Sequence, residues 1–461
     1  MSRFVRASKF RHVFGTGTKK ELSIDNCKPS RNAWDSNLVK ANPRFLALCW
    51  EASGGGAFWV GPNTTQGKLA AQPPLFQGHK AVVLDIDFHP YNDYIVASCS
   101  EDTKVMVWNI PEEIKENVNE PATVFGTHSR KVGQVTFHPV ADNVLASAGA
   151  DLAIKLWDIT KAQEKVEILG NADLINSFAF NTNGTLIACA SRDKRVRIFD
   201  VRSGKLTQDV AGHEGVKGSR VVWLTNTDRF ATTGFSKTSD RQLFVWDAAN
   251  LAEPLVKENL DTSAGILMPH YDEDTKMLYL AGKGDGNVRY YEMVEEKPWQ
   301  FLLSEYKSAD PQRGIAFLPK RACNVSEVET ARAYKVHTSM IEPISFKVPR
   351  KGDSFQDDIF PDAVSGEPAL SADEFFSGKN ANAKRVSLQG GYVPGVKKEI
   401  HFAAAPSPLE EQKKDLENPK NEKEFKEAWL KLKQENEDLK NKLAQRDVSI
   451  RQLELKLGQG K

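Results

Sequence analysis

The chain has 461 residues, 40% of them hydrophobic and 27% charged, values that are ordinary for a soluble globular protein. A net charge of +1 excludes bulk attraction to a nucleic acid or another polyanion, so contact with an acidic surface must come from a local patch. The five cysteines contain no CxxC pair, which argues against a disulfide framework and a zinc site and favours the cytoplasm. We also expect neither a signal peptide nor a transmembrane segment, because no stretch of 18 consecutive apolar residues occurs.

The N-terminal region is basic, and the first twenty residues contain no acidic side chain. With the loop that follows, it supplies eight cations: Arg3, Arg6, Lys9, Arg11, Lys19, Lys20, Lys28 and Arg31. Any one of them is as often a solvated side chain as a binding residue. As a cluster, however, they predict a binding site for an acidic surface.

Two apolar stretches come next, Arg44–Trp50 and Ala57–Gly61, separated by a run of three glycines. Two short apolar stretches on either side of a glycine run predict two strands joined by a turn. The hairpin lacks the aspartate that marks the repeats further along the chain.

A repeat dominates the middle of the chain. Five times an aspartate is followed six residues later by an aromatic residue, at the end of a short β-branched and apolar segment. The pairs are Asp102 and Trp108, Asp151 and Trp157, Asp193 and Phe199, Asp240 and Trp246, and Asp285 and Tyr291. The aspartates recur at intervals of 49, 42, 47 and 45 residues, close to the roughly 40–45 residues of a WD-type propeller blade. Each apolar segment is a predicted strand, and each aspartate lies in the tight turn before it.

In this class of repeat, the histidine of a Gly-His pair, a Ser or Thr, the turn aspartate and the tryptophan form a buried chain of hydrogen bonds that orders the blade. The residues expected in such chains are His79, Ser98, Asp102 and Trp108, then His128, Ser147, Asp151 and Trp157, and in a later blade His213, Asp240 and Trp246. The copy around Asp193 is degenerate, with Cys189 at the Ser position and Phe199 at the Trp position. We expect apolar packing to hold that blade instead.

Degenerate blades complete the ring. Gly314–Pro319, Ala331–Val336 and Glu342–Val348 are further predicted strands, and with the N-terminal hairpin they bring the count of blades to seven. Residues near Val5–Phe14 are expected to pair with the last blade, because closing the ring removes exposed strand edges. The predicted fold is therefore all-β, a seven-bladed β-propeller over residues 1–348.

Beyond the propeller, residues 349–402 are turn-rich but carry five large apolar side chains: Phe355, Ile359, Phe360, Phe375 and Phe376. Because such side chains need cover, we expect an extension that packs on the propeller, with a disordered linker as the alternative. Residues 403–420 contain three prolines and are a predicted linker.

A heptad pattern predicts a terminal coiled coil over residues 421–458. Its a and d positions are Leu432, Asn436, Leu439, Leu443, Arg446, Ile450, Leu453 and Leu457. A buried asparagine fixes the register at a cost in stability, and the arginine weakens the seam. Glu435 would face Lys440, and Lys442 would face Asp447, so we favour a parallel homo-oligomer over a single solvated helix.

No pattern predicts an enzyme, a metal site or a cofactor. The glycine-rich stretch at residues 282–286 lacks the GxxxxGK[ST] spacing of a phosphate-binding loop, and its Asp285 already belongs to the blade pattern. No HExxH or Ser-His-Asp arrangement is recognisable. The sequence is interpreted as a non-catalytic binding scaffold.

Several stretches outside the repeat resemble the coronin family. They are SKFRHVFG (8–15), EASGGGAF (51–58), LAGKGDGNVRYYE (280–292), PQRGIAFLPKR (311–321) and VPRKGDSFQDDIFPD (348–362). The resemblance covers residues 1–400 and the layout of linker and terminal coiled coil. It implies a propeller that binds filamentous actin at the actin cytoskeleton and cell cortex and acts with the branch-nucleating actin-related-protein complex and cofilin.

The resemblance also implies roles for single residues. Lys28, aligned through Trp34 and Asp35, matches an actin-contacting basic residue of the family. Ser2 is a candidate phosphosite, where a phosphate would cancel the positive charge of its neighbours.

Short family members often form trimers, but Ser449 replaces the leading arginine of the family's trimer motif. Dimer, trimer and tetramer therefore remain open. The alternative function is a generic WD-repeat adaptor unrelated to actin.

Overall fold

The computed structural model describes residues 7–350, 354–395 and 397–403. In the C-terminal part it describes residues 425–426, 429–430, 432–434, 436–437 and 440. Contacts divide the chain into two units, 1–403 and 404–461. None of the described helices is long and apolar enough to cross a membrane.

The first unit is a seven-bladed β-propeller, which confirms the predicted fold class. Six blades are antiparallel sheets of four strands in sequence order from the centre of the ring outward. Blade 1 contains Val39–Ala41, Phe45–Trp50, Gly56–Pro62 and Phe76–His79; blade 2, Val83–Phe88, Ile95–Ser100, Val105–Asn109 and Thr123–Phe125; blade 3, Val132–Phe137, Val144–Gly149, Ile154–Asp158 and Gln163–Ile168. Blade 4 contains Ile175–Phe180, Leu186–Ser191, Arg195–Asp200 and Leu206–Ala211; blade 5, Arg220–Leu224, Arg229–Phe235, Arg241–Asp247 and Val256–Asp261; blade 6, Leu267–Asp272, Met277–Gly282, Val288–Met293 and Gln300–Tyr306.

The apolar core lies between neighbouring blades. Ile154–Asp158, the third strand of blade 3, is buried along its whole length, because both faces of its sheet are covered. The outermost strand of blade 4, Leu206–Ala211, alternates between exposed and half-buried residues. One cluster joins Ala97 and Val107 of blade 2 to Trp157 of blade 3. This packing explains why the repeat segments are short and mainly apolar.

Blade 7 is assembled from both ends of the propeller sequence. It contains Gly314–Phe317, Glu329–Val336 and Met340–Lys347, followed on its outer side by Phe14–Gly17 and Ile24–Asp25; the short strand Gly67–Lys68 pairs with the last of these. Ring closure by an N-terminal strand is therefore present, but its predicted position near Val5–Phe14 was wrong, since the strand begins at Phe14. The described residues before it bury Phe10 and Val13 in the core instead.

Glycine lets the closing strand approach its neighbours closely. A Cβ on Gly15 would come within 3.0 Å of both Tyr306 and Phe346, so this part of the strand lies unusually close to the blade.

The propeller has two faces. The top face is formed by the loops between blades and by the turns that join the second and third strands of each blade. The bottom face carries the remaining loops.

The segment after blade 7 covers part of the bottom face. Ile359, Phe360 and Phe375 are buried there, and Phe355 and Phe376 are partly buried. This segment contains the helix Ala372–Phe376 and the paired strands Ala363–Val364 and Arg385–Val386, and its backbone contacts the bottom loops. Elsewhere in the described chain, 3-10 turns span Lys20–Leu22, Lys320–Ala322 and Val325–Glu327. The helix begins with a capping box, in which Ser371 and Glu374 each bind the other's backbone N–H.

Of the predicted coiled-coil seam, Leu432 and Asn436 are helical and exposed in the single chain. The other six positions lie outside the described residues: Leu439, Leu443, Arg446, Ile450, Leu453 and Leu457. The coiled coil therefore stays a prediction.

Candidate functional site

The top face of blade 2 contains a complete hydrogen-bonded chain. Trp108 Nε1 donates to Ser98 Oγ at 2.8 Å, and Ser98 Oγ lies 2.8 Å from His79 Nε2. His79 Nδ1 lies 2.9 Å from Asp102, whose carboxylate only accepts, so the proton is on Nδ1 and Nε2 accepts from the serine. Burial raises the pKa of Asp102, but its contacts with His79 and the hydrogen bonds from the backbone N–H groups of Lys80 and Lys104 together outweigh burial and hold that pKa below its usual value.

Blade 3 repeats this geometry. Trp157 Nε1 donates to Ser147 at 2.9 Å, His128 Nε2 lies 2.8 Å from Ser147, and His128 Nδ1 lies 2.9 Å from Asp151. The equal distances follow from the equal sequence spacing in the two blades.

Blade 4 departs from the expectation of purely apolar packing. Phe199 is fully buried, but the turn aspartate, Asp193, pairs with Arg197 at 2.6 Å. The guanidinium of Arg197 also donates to Ser191 at 2.8 Å, and Cys189 Sγ lies 3.3 Å from Asn171. The expectation was wrong because a buried arginine, which the motif does not include, replaces the histidine as the partner of the aspartate.

Blade 5 separates Asp240 from its expected partner. His213 Nε2 lies 2.9 Å from Thr232, which also accepts from Trp246 Nε1 at 2.8 Å. The Nδ1 side of the histidine faces Gln242 at 3.3 Å. Asp240 instead accepts from Ser236 and Thr238 within its own turn. The physical reason is a longer hairpin, which pairs Phe235 with Arg241 and moves the turn outward.

Asp285 joins two blades. Arg241, 2% exposed in blade 5, donates from Nη1 to Asp285 Oδ2 in blade 6 at 2.7 Å. Its other nitrogens bind Asp261 at 2.6 and 2.8 Å. Tyr291, the aromatic partner of Asp285 in the sequence repeat, is buried in the core.

An irregular segment, residues 28–37, crosses the centre of the top face, and we call it the cap. Trp34 Nε1 donates to the carbonyl of Gly133 in the first strand of blade 3 at 2.8 Å. Arg220, in the first strand of blade 5, donates to Asp35 O at 2.5 Å. Because first strands line the central channel, a segment touching them from both sides lies over the channel mouth.

Further contacts tie the cap to the rest of the ring. Glu51 of blade 1 accepts from the backbone N–H of Arg31 at 2.7 Å, and Glu101 of blade 2 accepts from Asn32 at 3.3 Å. Cations of blades 6 and 7 complete the set: Lys283 donates to Trp34 O at 3.2 Å, and Arg313 donates to Ser30 O at 2.8 Å. The cap therefore contacts blades 1, 2, 3, 5, 6 and 7.

Lys28 and Arg31 are the predicted binding residues at the cap. Both side chains are exposed, and among the described residues neither meets an acidic partner. The backbone of Lys28 accepts from Glu51 N at 2.8 Å, which fixes the start of the cap on blade 1. Two free cations thus project from a segment whose backbone is bound at several points.

The remaining predicted basic residues do not join this pair. Lys9 and Arg11 lie before the closing strand, towards the bottom face, where Lys9 Nζ donates to Asp358 O at 3.0 Å. Lys19 and Lys20 are exposed at the outer side of blade 7. The predicted residues Ser2, Arg3 and Arg6 lie outside the described residues. The described cations are therefore distributed along blade 7 and do not form one cluster.

Sequence reasoning missed the residues that hold the cap, since Trp34 served only to align Lys28. Gly133 was the available signal, because glycine is unusual inside an apolar strand and marks close approach of another group. A Cβ there would lie 2.0 Å from Trp34 Cζ2.

In the described part of the chain, no three His, Cys, Asp or Glu side chains are grouped to hold a metal ion. The five cysteines, Cys27, Cys49, Cys99, Cys189 and Cys323, are buried and unpaired. The arrangement of the top face suits binding, through exposed cations on a rigid frame.

Known families match along the chain. Residues 3–68 match a domain of unknown function, DUF1899, which includes the closing strand and the cap. The WD domain, G-beta repeat, matches residues 72–109, 119–158 and 163–200, and a type of WD40 repeat matches residues 341–383.

Curated relatives are similar over most of this chain. Coronin-A of Dictyostelium discoideum is 49% identical over 98% of this chain and 100% of its own. The chain belongs to the coronin family. A coronin-like protein of Schizosaccharomyces pombe is 49% identical over 85% of this chain and 65% of its own, and one of Saccharomyces cerevisiae is 46% identical over 94% and 69%.

Two solved structures are similar to this chain in fold. The WD40 domain of Toxoplasma gondii coronin is 29% identical, with a TM-score of 0.78 over 82% of this chain and 98% of that chain. A chain of the mitotic checkpoint complex, 13% identical with a TM-score of 0.55 over 76% of this coronin and 100% of that chain, shares the fold alone.

Proposed function

We propose that this coronin is an actin-filament-binding regulator of actin dynamics, which acts as a binding scaffold and not as an enzyme. The observation that carries the proposal is the full-length similarity to Coronin-A, at 49% identity. The family resemblance associates such chains with filamentous actin in the cytoplasm, at the actin cytoskeleton and the cell cortex.

The exposed cations of the cap support a filament contact. Actin filaments present acidic surfaces, and the side chains of Lys28 and Arg31 meet no acid among the described residues. A contact between such charges and an acidic surface gains strength at low salt and is screened at high salt.

Charge reversal tests this contact. The variant with Lys28→Glu and Arg31→Glu is expected to co-sediment with filaments about tenfold more weakly than wild type, because two attractive contacts become repulsive. The matched control reverses Lys115 and Lys205, which are exposed in bottom-face loops. Equal pelleting of the cap variant and the control at physiological salt would overturn the cap as the filament contact.

We further propose that the terminal coiled coil makes the propeller multivalent. One propeller binds weakly, whereas two or more on one stalk raise the effective concentration of the second contact. A chain ending at Glu417 should still co-sediment with filaments but should no longer bundle them. Bundling by the truncated chain would contradict this model.

The branch-nucleating actin-related-protein complex and cofilin are proposed as further partners. Each can be tested by binding of the purified partner to the immobilised full chain. For the proposed phosphosite, Ser2→Asp should weaken filament binding, because it adds negative charge to the basic N-terminus.

A further inference from the structure

The cap has no secondary structure of its own. Residues 30–38 form neither helix nor strand, so their conformation depends on anchors supplied by the rest of the propeller. The backbone N–H of Trp34 donates to Asn32 Oδ1 within the cap at 2.8 Å, and the backbone N–H of Ser36 donates to Trp34 O at 3.0 Å. These local bonds shape turns but do not attach the segment to the ring.

Trp34 is the side chain of the cap that reaches the ring most directly. Its indole N–H binds Gly133 O, and Lys131 Nζ lies 5.0 Å from the centre of its ring. The indole occupies the space that a side chain at position 133 would fill, since a Cβ there would overlap three of its ring atoms. Ring and glycine are therefore complementary in shape as well as hydrogen-bonded.

The remaining anchors bind mainly backbone oxygens of the cap. Arg220 and Lys283 hold the carbonyls of Asp35 and Trp34, and Arg313 holds that of Ser30. Gly314 is needed beside them, because a Cβ there would lie 2.1 Å from Asn37 O. These contacts depend on the path of the backbone.

We infer that Trp34 is the positioning residue of the filament contact: by packing on Gly133, it fixes the cap over the channel mouth and so fixes the direction of Lys28 and Arg31. This inference rests on the proposed function. A binding loop held in advance in one conformation loses less conformational entropy when its partner binds. The residue acts through the cap backbone and itself meets blade 3 rather than a filament.

Amide hydrogen exchange of residues 30–37 in the full chain tests the anchoring step. Trp34→Ala and Gly133→Ala should each accelerate exchange there by about tenfold, because each removes the indole from its site. Trp34→Phe keeps an aromatic ring but loses the N–H donor, and it guards against a variant that simply fails to fold.

Two variants serve as matched controls. Trp299→Phe changes a tryptophan whose Nε1 has no hydrogen-bond partner, and Gly395→Ala adds a methyl group where no atom lies within 4 Å. Neither should alter exchange in the cap.

The pair Trp34 and Gly133 also allows a double-mutant cycle. Since both single changes break the same contact, Trp34→Ala combined with Gly133→Ala should accelerate exchange no more than either change alone. Additive effects would show that the two residues act independently and would overturn the inference.

Filament co-sedimentation then tests the positioning step. The loosened variants should bind about fivefold more weakly, although Lys28 and Arg31 are intact. Unchanged exchange in Trp34→Ala and Gly133→Ala would overturn the inference, and so would faster exchange with unchanged binding. If the wild-type chain itself failed to pellet with filaments, the proposed function would fail, whereas the exchange rates would still decide whether Trp34 holds the cap.

Discussion

Arg241 Nη1 in blade 5 lies 2.7 Å from Asp285 Oδ2 in blade 6. The same guanidinium binds Asp261 within its own blade. One buried cation thus binds two carboxylates on either side of a blade boundary, and Arg289 supplies a second cation to Asp261 at 2.7 Å. An aspartate that the repeat would place inside blade 6 is thereby used to join blades 5 and 6.

Replacing Arg241 by methionine should lower the free energy of unfolding by about 3 kcal/mol, because it leaves the largely buried carboxylate of Asp285 without its cation, whereas Asp261 keeps an ion pair with Arg289 at 2.7 Å. The matched control is Arg192→Met, which removes an ion pair between Asp173 and a 62% exposed arginine and should cost below about 1 kcal/mol. Urea denaturation measures both values. Equal costs in the two variants would contradict the role of Arg241 as a joint between blades.

Asp102 and Asp240 hold the same place in the repeat but make different contacts. Asp102→Ala should lower the free energy of unfolding by about 2–3 kcal/mol. It leaves the Nδ1–H of His79 and the backbone N–H groups of Lys80 and Lys104 without their acceptor. Asp240→Ala should lower the free energy of unfolding by less than about 1 kcal/mol, because it loses only two hydroxyl donors in a largely exposed turn. Chemical denaturation of the two variants side by side gives the comparison, and a larger loss for Asp240 would be inconsistent with the described turn.

The histidines of the two Phe-His-Pro stretches make stability depend on pH. His89 Nδ1 accepts from two backbone N–H groups at 3.1 Å, and His138 Nδ1 accepts from Ala141 N at 2.9 Å, so both need a neutral ring. Burial lowers the pKa of each from 6.5 to about 3. The unfolded chain therefore binds the protons first, and stability that is complete above pH 6.5 is lost as the pH falls towards 3.

Each of these histidines should contribute a slope of about 1.4 kcal/mol per pH unit in that range. His138→Asn is expected to lower the slope of the free energy of unfolding against pH by about 1.4 kcal/mol per pH unit. His401→Asn, at an exposed position, should leave this slope unchanged. Denaturant unfolding between pH 4 and pH 7 measures the slope. A wild-type stability that rises on acidification below pH 6 would refute the assignment.

The cysteines should be inert in the folded chain. Burial raises the pKa of all five thiols, to about 12 for Cys27, Cys189 and Cys323. Because the thiolate is the reactive form, iodoacetamide at pH 8 should label none of them before unfolding and all of them in denaturant. Mass spectrometry counts the labels, and rapid labelling of one cysteine in the native chain would reveal local opening at its blade.

The blade count was predictable because the six-residue spacing is a local property of a turn and the strand after it. It survives where the contacts change, as at Asp193, whose partner became Arg197, and at Asp240, whose place beside His213 went to Gln242. The six-residue spacing therefore predicts where the strands lie, but it does not predict the hydrogen-bond partners of the turn aspartate.

The cap was beyond prediction because its contacts join distant parts of the chain. Trp34 and Gly133 are 99 residues apart, and Arg220 and Asp35 are 185 apart, so no local pattern relates them. The basic residues show the converse. They are close in sequence, yet the extended path along blade 7 spreads Lys9, Lys19 and Lys28 from the bottom face to the top.

The closing strand also sets the order in which the molecule can be completed. Thr18 donates to the carbonyl of Pro343, which lies 325 residues further along the chain. At about 5–20 residues per second, a ribosome reaches Pro343 roughly 15 to 65 seconds after it has synthesised Thr18. Throughout this interval the basic N-terminal segment has no sheet to join. A chain that ends prematurely never receives its last blade, and the open edge it leaves distinguishes it from a finished molecule.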